Sequence, residues 1–286
     1  MVKSELDAAA ATLKSAGVED YLFEARVIFE TVFSRSFYLD LLAGRLDRDL
    51  SDEEKAKLSQ MLSRRLGGEP LQYIIGEWEF YGEDFLVGKG VLIPRQDTET
   101  LIDEAVRLCS GLDSPKILDL CSGTGCIPIT LSRLIPFAEV HAAELYPEAY
   151  SYLEKNILKH RSRVIPHMID ALAESSAAEF RGLDIITCNP PYLSGDDMAC
   201  MQREVSFEPR SALYGGQDGL DYYRAISVLW HDSLKPGGYI IYEIGASQAD
   251  DLKKILAGAG FDEIKVLKDA AGKDRVAVGR AKIAEK

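Results

Sequence analysis

Over the first seventy or so positions, apolar residues return at helical spacing. "ELDAAAATLKSAG" carries them on one face and runs into Gly17, a C-terminal stop. "YLFEARVIFETVF" repeats the pattern. "SDEEKAKLSQMLSRRLGGEP" opens on Ser51 as an N-cap with an acidic first turn. It closes on Arg64, Arg65, Gly67 and Gly68, a charge order that suits the helix dipole. The pattern then changes. In "EPLQYIIGEWEFYGEDFLVGKGVLIPR" aromatic and β-branched residues are cut by glycines at short intervals, which predicts a hairpin or paired short strands. From Pro94 onward short apolar runs alternate with helical segments: "KILDLC", a glycine turn and a helix; "EVHAAE" and the helix "YPEAYSYLEKNILKH"; "RVIPHMID" and a helix-like "ALAESSAAEF"; then "LDIITC". After an insertion come a helix around "GLDYYRAISVLWHDSL", the turn "KPGG" and the strand "YIIYEIG". "FDEIKVLKD" and "DRVAVGR" read as two closing strands. Strands alternating with helices predict a parallel α/β sheet covered on both faces. The expected organisation is a helical domain over 1–73, a β-hairpin connector over 74–93 and an α/β domain over 94–286.

Composition narrows the function classes. The 286 residues carry 33 Lys and Arg against 46 Asp and Glu, a net charge of −13. A solvated acidic surface accounts for this, and no basic stripe stands out for nucleic-acid backbone. Five scattered cysteines without a C-x-x-C pair give no disulfide framework and no metal-ligand spacing. Cys121 and Cys188 read as small core residues, and a reducing cytoplasm fits. No signal peptide is evident, and no apolar run reaches membrane-spanning length.

The turn in "LDLCSGTGCI" joins a strand to a helix at the strand's carboxyl end, where nucleotide-like cofactors bind. Gly123 and Gly125 let backbone bend sharply and approach a ligand. Three acidic residues accompany the turn. Asp119 stands two residues before Cys121, where it orders the loop or meets a cationic ligand. Glu144 ends the next strand 21 residues beyond Gly123, the spacing at which a carboxylate accepts ribose hydroxyls. Asp170 ends the third strand, as an acceptor for an adenine amino group or as a helix N-cap. Cys121 occupies the first-glycine position of a dinucleotide fingerprint, so that motif fails, and the phosphate-loop lysine is missing. An adenosine cofactor without a pyrophosphate remains, and S-adenosylmethionine, with its cationic sulfonium and amino groups, suits acidic surroundings.

The fourth strand, "LDIITC", is cut short by Asn189, Pro190, Pro191 and Tyr192. Asn189 emerges at the same sheet edge as the glycine turn. Its side-chain oxygen and the Pro190 carbonyl are two acceptors that suit the NH₂ of an amide or aromatic amine, with Tyr192 closing over a planar group. A rigid loop with an aromatic plug is the plain structural alternative. His141 and His167 do not cluster with this loop and read as surface or packing residues. Arg95 and Glu99 either shape the cofactor pocket or pair with each other at a helix start.

"NPPY" together with "DLCSGTGCI" resembles amino-methyltransferases that use S-adenosylmethionine. "GEPLQYIIGEWEFYGEDFLVGKGVLIPRQDTE" and "EVSFEPRSALYGGQDGLDYYRAI" narrow this, because both resemble the PrmC/HemK family of peptide-release-factor glutamine methyltransferases. The resemblance runs from the helical start to the final strands. It implies a Rossmann-like class I methyltransferase sheet behind a small helical domain that helps grip the substrate. It also implies that Cys121, Ser122, Gly123, Thr124 and Gly125 line the methionine part of the cofactor. Glu144 then holds the ribose, and Asp170 with Ala171 frames the adenine. Asn189, Pro190, Pro191 and Tyr192 bind the glutamine of the Gly-Gly-Gln tripeptide in class 1 release factors, Asn189 also facing the cofactor. Two positions depart from the pattern: Ala171 stands where relatives often have an aromatic, and Glu144 where many have Asp. The expected partner is a release factor, with no direct nucleic-acid or membrane contact, no metal, and a monomeric chain. An N6-adenine DNA or RNA methyltransferase shares the NPPY grip, and a non-catalytic partner-binding protein of this fold is the other alternative.

Overall fold

The computed structural model describes residues 1–46 and 48–283, so the last three positions of the expected α/β domain lie outside the described residues. The chain divides into two compact units: Met1–Glu77 with Arg203–Phe207, and Trp78–Gln202 with Glu208–Lys286.

The first unit is helical: α1 (Val2–Ser15), α2 (Tyr21–Val32), α3 (Phe37–Leu42), α4 (Asp52–Leu66) and α5 (Leu71–Ile75). Leu13, Ile28, Phe29, Phe37 and Leu58 are buried. The rings of Phe29, Phe33 and Phe37 cluster, with the closest centroids 4.9 Å apart. Ser51 caps α4 in a reciprocal box with Glu54, and Arg64 and Arg65 fill its last turn. Arg65 is buried, so its charge needs partners. It donates to Glu24 and to Glu204, while Arg203 donates to the Gly67 carbonyl at 2.6 Å. These bonds hold the short segment Arg203–Phe207, taken from the insertion after NPPY, in the helical unit.

A hairpin, β1 (Glu77–Phe80) and β2 (Glu83–Leu86), opens the second unit from the second residue of β1, Trp78, onward. Its two-residue turn has positive φ at both Tyr81 and Gly82, the hairpin geometry that matches strand twist. Then follow α6 (Glu99–Cys109), β3 (Lys116–Leu120), α7 (Cys126–Leu134), β4 (Glu139–Glu144), α8 (Pro147–Lys159), β5 (Ile165–Met168), α9 (Glu174–Ala178) and β6 (Leu183–Cys188). α10 (Gly195–Ala199), α11 (Arg210–Leu213), α12 (Asp221–Leu229), β7 (Leu234–Glu243), α13 (Ala249–Gly258), β8 (Phe261–Lys268) and β9 (Asp274–Ala281) complete it.

The main sheet has the order β5-β4-β3-β6-β7-β9-β8, parallel through β7 and antiparallel at β9 and β8. Continuous apolar runs serve both faces, as burial of a parallel sheet requires. Ile117 and Ile185 pack with Leu101, Leu131 and Leu153; Leu118 and Ile186 pack with Tyr223, Trp230 and Leu252 on the other face. After β3 the chain turns outward to β4 and β5, then returns to place β6 on the other flank of β3. That reversal opens a crevice at the carboxyl ends of β3 and β6, where the glycine turn and NPPY emerge.

Two local expectations differ from what is found. "KPGG" lies within β7: against β6 the register jumps from Leu234 to Tyr239, so the turn is absorbed as a bulge. The helix expected over 171–180 shrinks to Glu174–Ala178, because Asp170 caps a turn at Leu172 instead. Among the described residues no helix is long and apolar enough to cross a membrane, and no His/Cys/Asp/Glu group has metal-binding geometry.

Candidate active site

Backbone shape sets the floor of the crevice. Cys121, at the first-glycine position, adopts φ +59°, a left-handed bend that costs a residue with a Cβ about 1 kcal/mol or more. The Ser122 N–H donates to the Ala143 carbonyl of β4 at 3.0 Å, and the Gly125 N–H returns to the Ser122 carbonyl at 2.8 Å. Gly125 begins α7 at φ +80°, and a Cβ there would lie 2.5 Å from Leu153 Cδ1 of α8. The turn is therefore packed down against a neighbouring helix at a position only glycine fits.

The carboxylates take different parts. Glu144 is buried at the end of β4 and accepts three backbone N–H bonds: Gly123 at 2.9 Å on Oε2, and Leu145 at 2.8 Å and Tyr146 at 2.9 Å on Oε1. Burial raises its pKa, and those bonds oppose the rise. Oε2 keeps acceptor capacity toward the cleft that Glu144 lines. Asp119 is fully buried beneath the turn. Its Oδ1 accepts from Thr187 Oγ1 at 2.7 Å, and its Oδ2 has no partner among the described residues. Burial pushes its pKa up to about 7. Asp170 lines the cleft and accepts from the Leu172 N–H at 2.8 Å; the carbonyl of Ala171 accepts from Trp230 Nε1 at 2.8 Å.

Of the residues singled out from sequence, Cys121, Ser122, Gly123, Thr124, Glu144, Asp170, Ala171, Asn189 and Pro191 line one cleft. Asp119, Gly125, Pro190 and Tyr192 stand outside that lining. No described residue hydrogen-bonds the Asn189 side chain or donates to the Pro190 carbonyl. The Tyr192 hydroxyl instead points to Glu243 Oε1, at 3.5 Å, and its ring packs against the core.

The NPPY loop is clamped from behind. The Leu193 N–H donates to the Leu213 carbonyl at 2.8 Å, the Gly215 N–H to the Leu193 carbonyl at 2.9 Å, and Gln248 Nε2 to the Tyr192 carbonyl at 3.0 Å. Gly219 has φ +75°, and a Cβ there would lie 2.3 Å from the Tyr192 carbonyl oxygen. This gives "YGGQDGLDYY" its physical meaning: it is the backrest of the loop.

Several supporting residues escaped sequence reading. Glu243 is fully buried, accepts from Thr98 Oγ1 at 2.5 Å, and has its pKa pushed up to about 7 by burial. Glu208 is buried and accepts from Arg95 and from the Ile93 N–H at 3.0 Å. Arg95 thus lines the cleft with Glu208 as its partner, while Glu99 accepts from the Tyr81 N–H at 3.2 Å; the two do not pair with each other. Asn156 on α8 bonds the Leu86 N–H and carbonyl and the Thr124 carbonyl, stapling the turn from below. Only a polar residue on the buried stripe of α8 hinted at it. His141 and His167 bond each other at 2.9 Å beside Phe180.

The comparisons agree with this architecture. Residues 6–76 match the family model of the PrmC N-terminal domain, and residues 98–208 that of the methyltransferase small domain. The release factor glutamine methyltransferase of Geobacter sulfurreducens is 38% identical over 98% of this chain and 96% of its own. That of Fusobacterium nucleatum subsp. nucleatum is 35% identical over 95% of this chain and 76% of its own. The fold is shared with the T. thermophilus 16S rRNA N2 G1207 methyltransferase, solved with AdoMet and guanosine, at TM-score 0.51 and 19% identity over 72% of this chain and 50% of that one. With similarity of that depth across both units, the chain belongs to the release factor glutamine methyltransferase family.

Proposed function

We propose that the chain transfers a methyl group from S-adenosylmethionine to the side-chain amide nitrogen of the glutamine in the Gly-Gly-Gln tripeptide of class 1 release factors. The observation that carries this is the loop of unpartnered acceptors, Asn189 and the Pro190 carbonyl, ending the strand beside a glycine turn with buried carboxylates.

The residues fit the cofactor. Asp119 keeps an orphaned oxygen under the turn, Glu144 keeps acceptor capacity for a ribose, and a Cβ built on Gly123 would meet only Val91 Cγ2, at 3.7 Å, leaving open space above the turn. Tyr222, packed near Tyr146 and Asp170, supplies aromatic surface on the side where Ala171 supplies none. When bound, S-adenosylmethionine supplies an electrophilic methyl group on a sulfonium.

A neutral amide nitrogen is a weak nucleophile because its lone pair is delocalised. Asn189 Oδ1 and the Pro190 carbonyl accept its two hydrogens, fix the direction of the lone pair and so raise its effective concentration. As positive charge builds on the nitrogen, both acceptors hold it more tightly than in the ground state. No histidine stands at the loop among the described residues, and the proton leaves to water after transfer. The helical unit is assigned to grip the release factor, and the chain acts as a monomer in the cytoplasm.

The test offers labelled S-adenosylmethionine with purified class 1 release factor, tRNA and duplex DNA. Label in the release factor alone, lost when its glutamine is replaced, supports the reading. Label in either nucleic acid returns the adenine methyltransferase, and label in none leaves a partner-binding protein.

A further inference from the structure

A second cleft takes no part in this chemistry. α7 and α8 start at the cofactor edge of the sheet and end at Leu134 and Lys159, roughly 13–20 Å away at 1.5 Å per residue. At that far end lies a cleft of about 420 Å³ lined by Thr130, Arg133, Lys159, His160, Arg161 and Arg163. In a chain of net charge −13, four cationic side chains meet a single carboxylate there, Glu83.

The partners of the three arginines do not use up their charge. Arg133 pairs with Glu83 at 3.4 Å and donates to the Tyr81 carbonyl at 3.0 Å; Arg163 donates to the Pro136 carbonyl. Arg161 has no ion pair among the described residues and is held at φ +50°. Two buried atoms are also unsatisfied. Thr130 is 1% exposed and its Oγ1 has no partner among the described residues, and the same holds for His160 Nε2. The His160 ring lies on Phe85, centroids 4.5 Å apart, and burial keeps the imidazole more acidic than usual. Helix C-termini attract basic residues, which accounts for Lys159. They do not account for an unpaired hydroxyl and an unpaired ring nitrogen at the same place, since buried polar groups are ordinarily paired.

We infer that this cleft binds a phosphate-type oxyanion, carried either by inorganic phosphate or by a nucleotide. The Thr130 hydroxyl and a protonated His160 supply donors, and Arg161 and Arg163 supply charge, matching the fork geometry that arginine offers phosphate.

The test follows the His160 ring resonances of the full-length protein by NMR while inorganic phosphate or AMP is added, with NaCl holding ionic strength constant. His160 reports on this cleft alone, so AMP entering the cofactor crevice does not mimic the signal. The expected result is a saturable shift below about 5 mM, together with a rise in the imidazole pKa. Arg161→Gln, at an exposed position, weakens binding at least about fivefold, and Thr130→Val does so independently. Saturation by phosphate gives the free ion as source; saturation by AMP alone gives a nucleotide. No saturable shift up to about 20 mM of either ligand, or equal affinity in Arg161→Gln, overturns the assignment.

Discussion

Replacing Asp119 by Asn tests the electrostatics of the crevice floor. The carboxyl is fully buried, and burial lifts its pKa from 3.8 to about 7. Because the folded pKa lies above the unfolded one, the folded state holds the proton more tightly. The group therefore costs nothing below the unfolded value; its cost grows as pH rises and is complete above about 7. Between about pH 5 and pH 7 that is two units, or about 3 kcal/mol at 1.36 kcal/mol per unit. Asn keeps the bond from Thr187 through its side-chain oxygen and carries no charge at any pH. Any fixed cost of the new NH₂ cancels when one variant is compared at two pH values. Glu243, raised by burial to about the same pKa, titrates in both proteins and cancels too. Urea unfolding at about pH 5 and pH 8 is thus expected to show Asp119→Asn gaining about 3 kcal/mol on the parent across the window. Under the proposed function a cationic cofactor favours the ionised Asp119, so S-adenosylhomocysteine, which keeps the amino group, binds the parent more tightly as pH rises and the variant without that trend. Parallel stability curves for the two proteins would refute the reasoning.

Three further outcomes follow from the geometry. Asn189→Ala is expected to abolish methyl transfer while cofactor affinity, measured by calorimetry, stays within about tenfold, or 1.4 kcal/mol; near-normal turnover removes Asn189 from the chemistry. Gly219→Ala forces a Cβ toward the Tyr192 carbonyl at φ +75°, so the NPPY loop shifts and turnover falls about a hundredfold while the far-ultraviolet spectrum stays unchanged; full activity would mean the clamp does not position the loop. Asn156→Leu strands the Leu86 N–H and the Thr124 carbonyl, which is expected to cost about 2–4 kcal/mol in urea unfolding, and a loss under about 1 kcal/mol would refute the staple.

What sequence made legible was whatever depends on neighbours along the chain. The Ser51 cap, the hairpin, the alternation of strand and helix and the placing of Glu144, Asp170 and Asn189 at or just past strand ends all rest on local period and spacing. What it hid depends on partners far apart. Arg95 and Glu99 sit one turn apart and invite pairing, yet Glu208, 113 positions away, takes Arg95. Thr98 and Glu243 are 145 positions apart and meet only because β7 ends beside the crevice. "KPGG" has the composition of a turn, but the sheet on either side carries it through as a bulge. The glycines of "YGGQDG" could be read as loop residues; that Gly219 leaves room for the Tyr192 carbonyl needed the fold.

The NPPY loop also resolves a conflict between folding and binding. Folding disfavours unpaired hydrogen-bonding groups in a cleft, whereas a grip on an NH₂ requires acceptors left without donors. Two consecutive prolines meet both demands. Pro190 and Pro191 contribute carbonyls and no N–H, so the segment between Asn189 and Tyr192 has no backbone donor to satisfy or to compete for the acceptors. The chain's own donors are spent one step further on, where Gln248 holds the Tyr192 carbonyl and Leu193 bonds Leu213. Of the loop, Asn189 and Pro191 line the crevice, and the Pro190 carbonyl, outside that lining, is left without a donor among the described residues. Such a surface discriminates by hydrogen count: an NH₂ can satisfy two acceptors at once, whereas a hydroxyl can satisfy only one and leaves the other bare. Under the proposed function, the preference for nitrogen over oxygen as the methylated atom would rest on these two residues, which take no part in bond making.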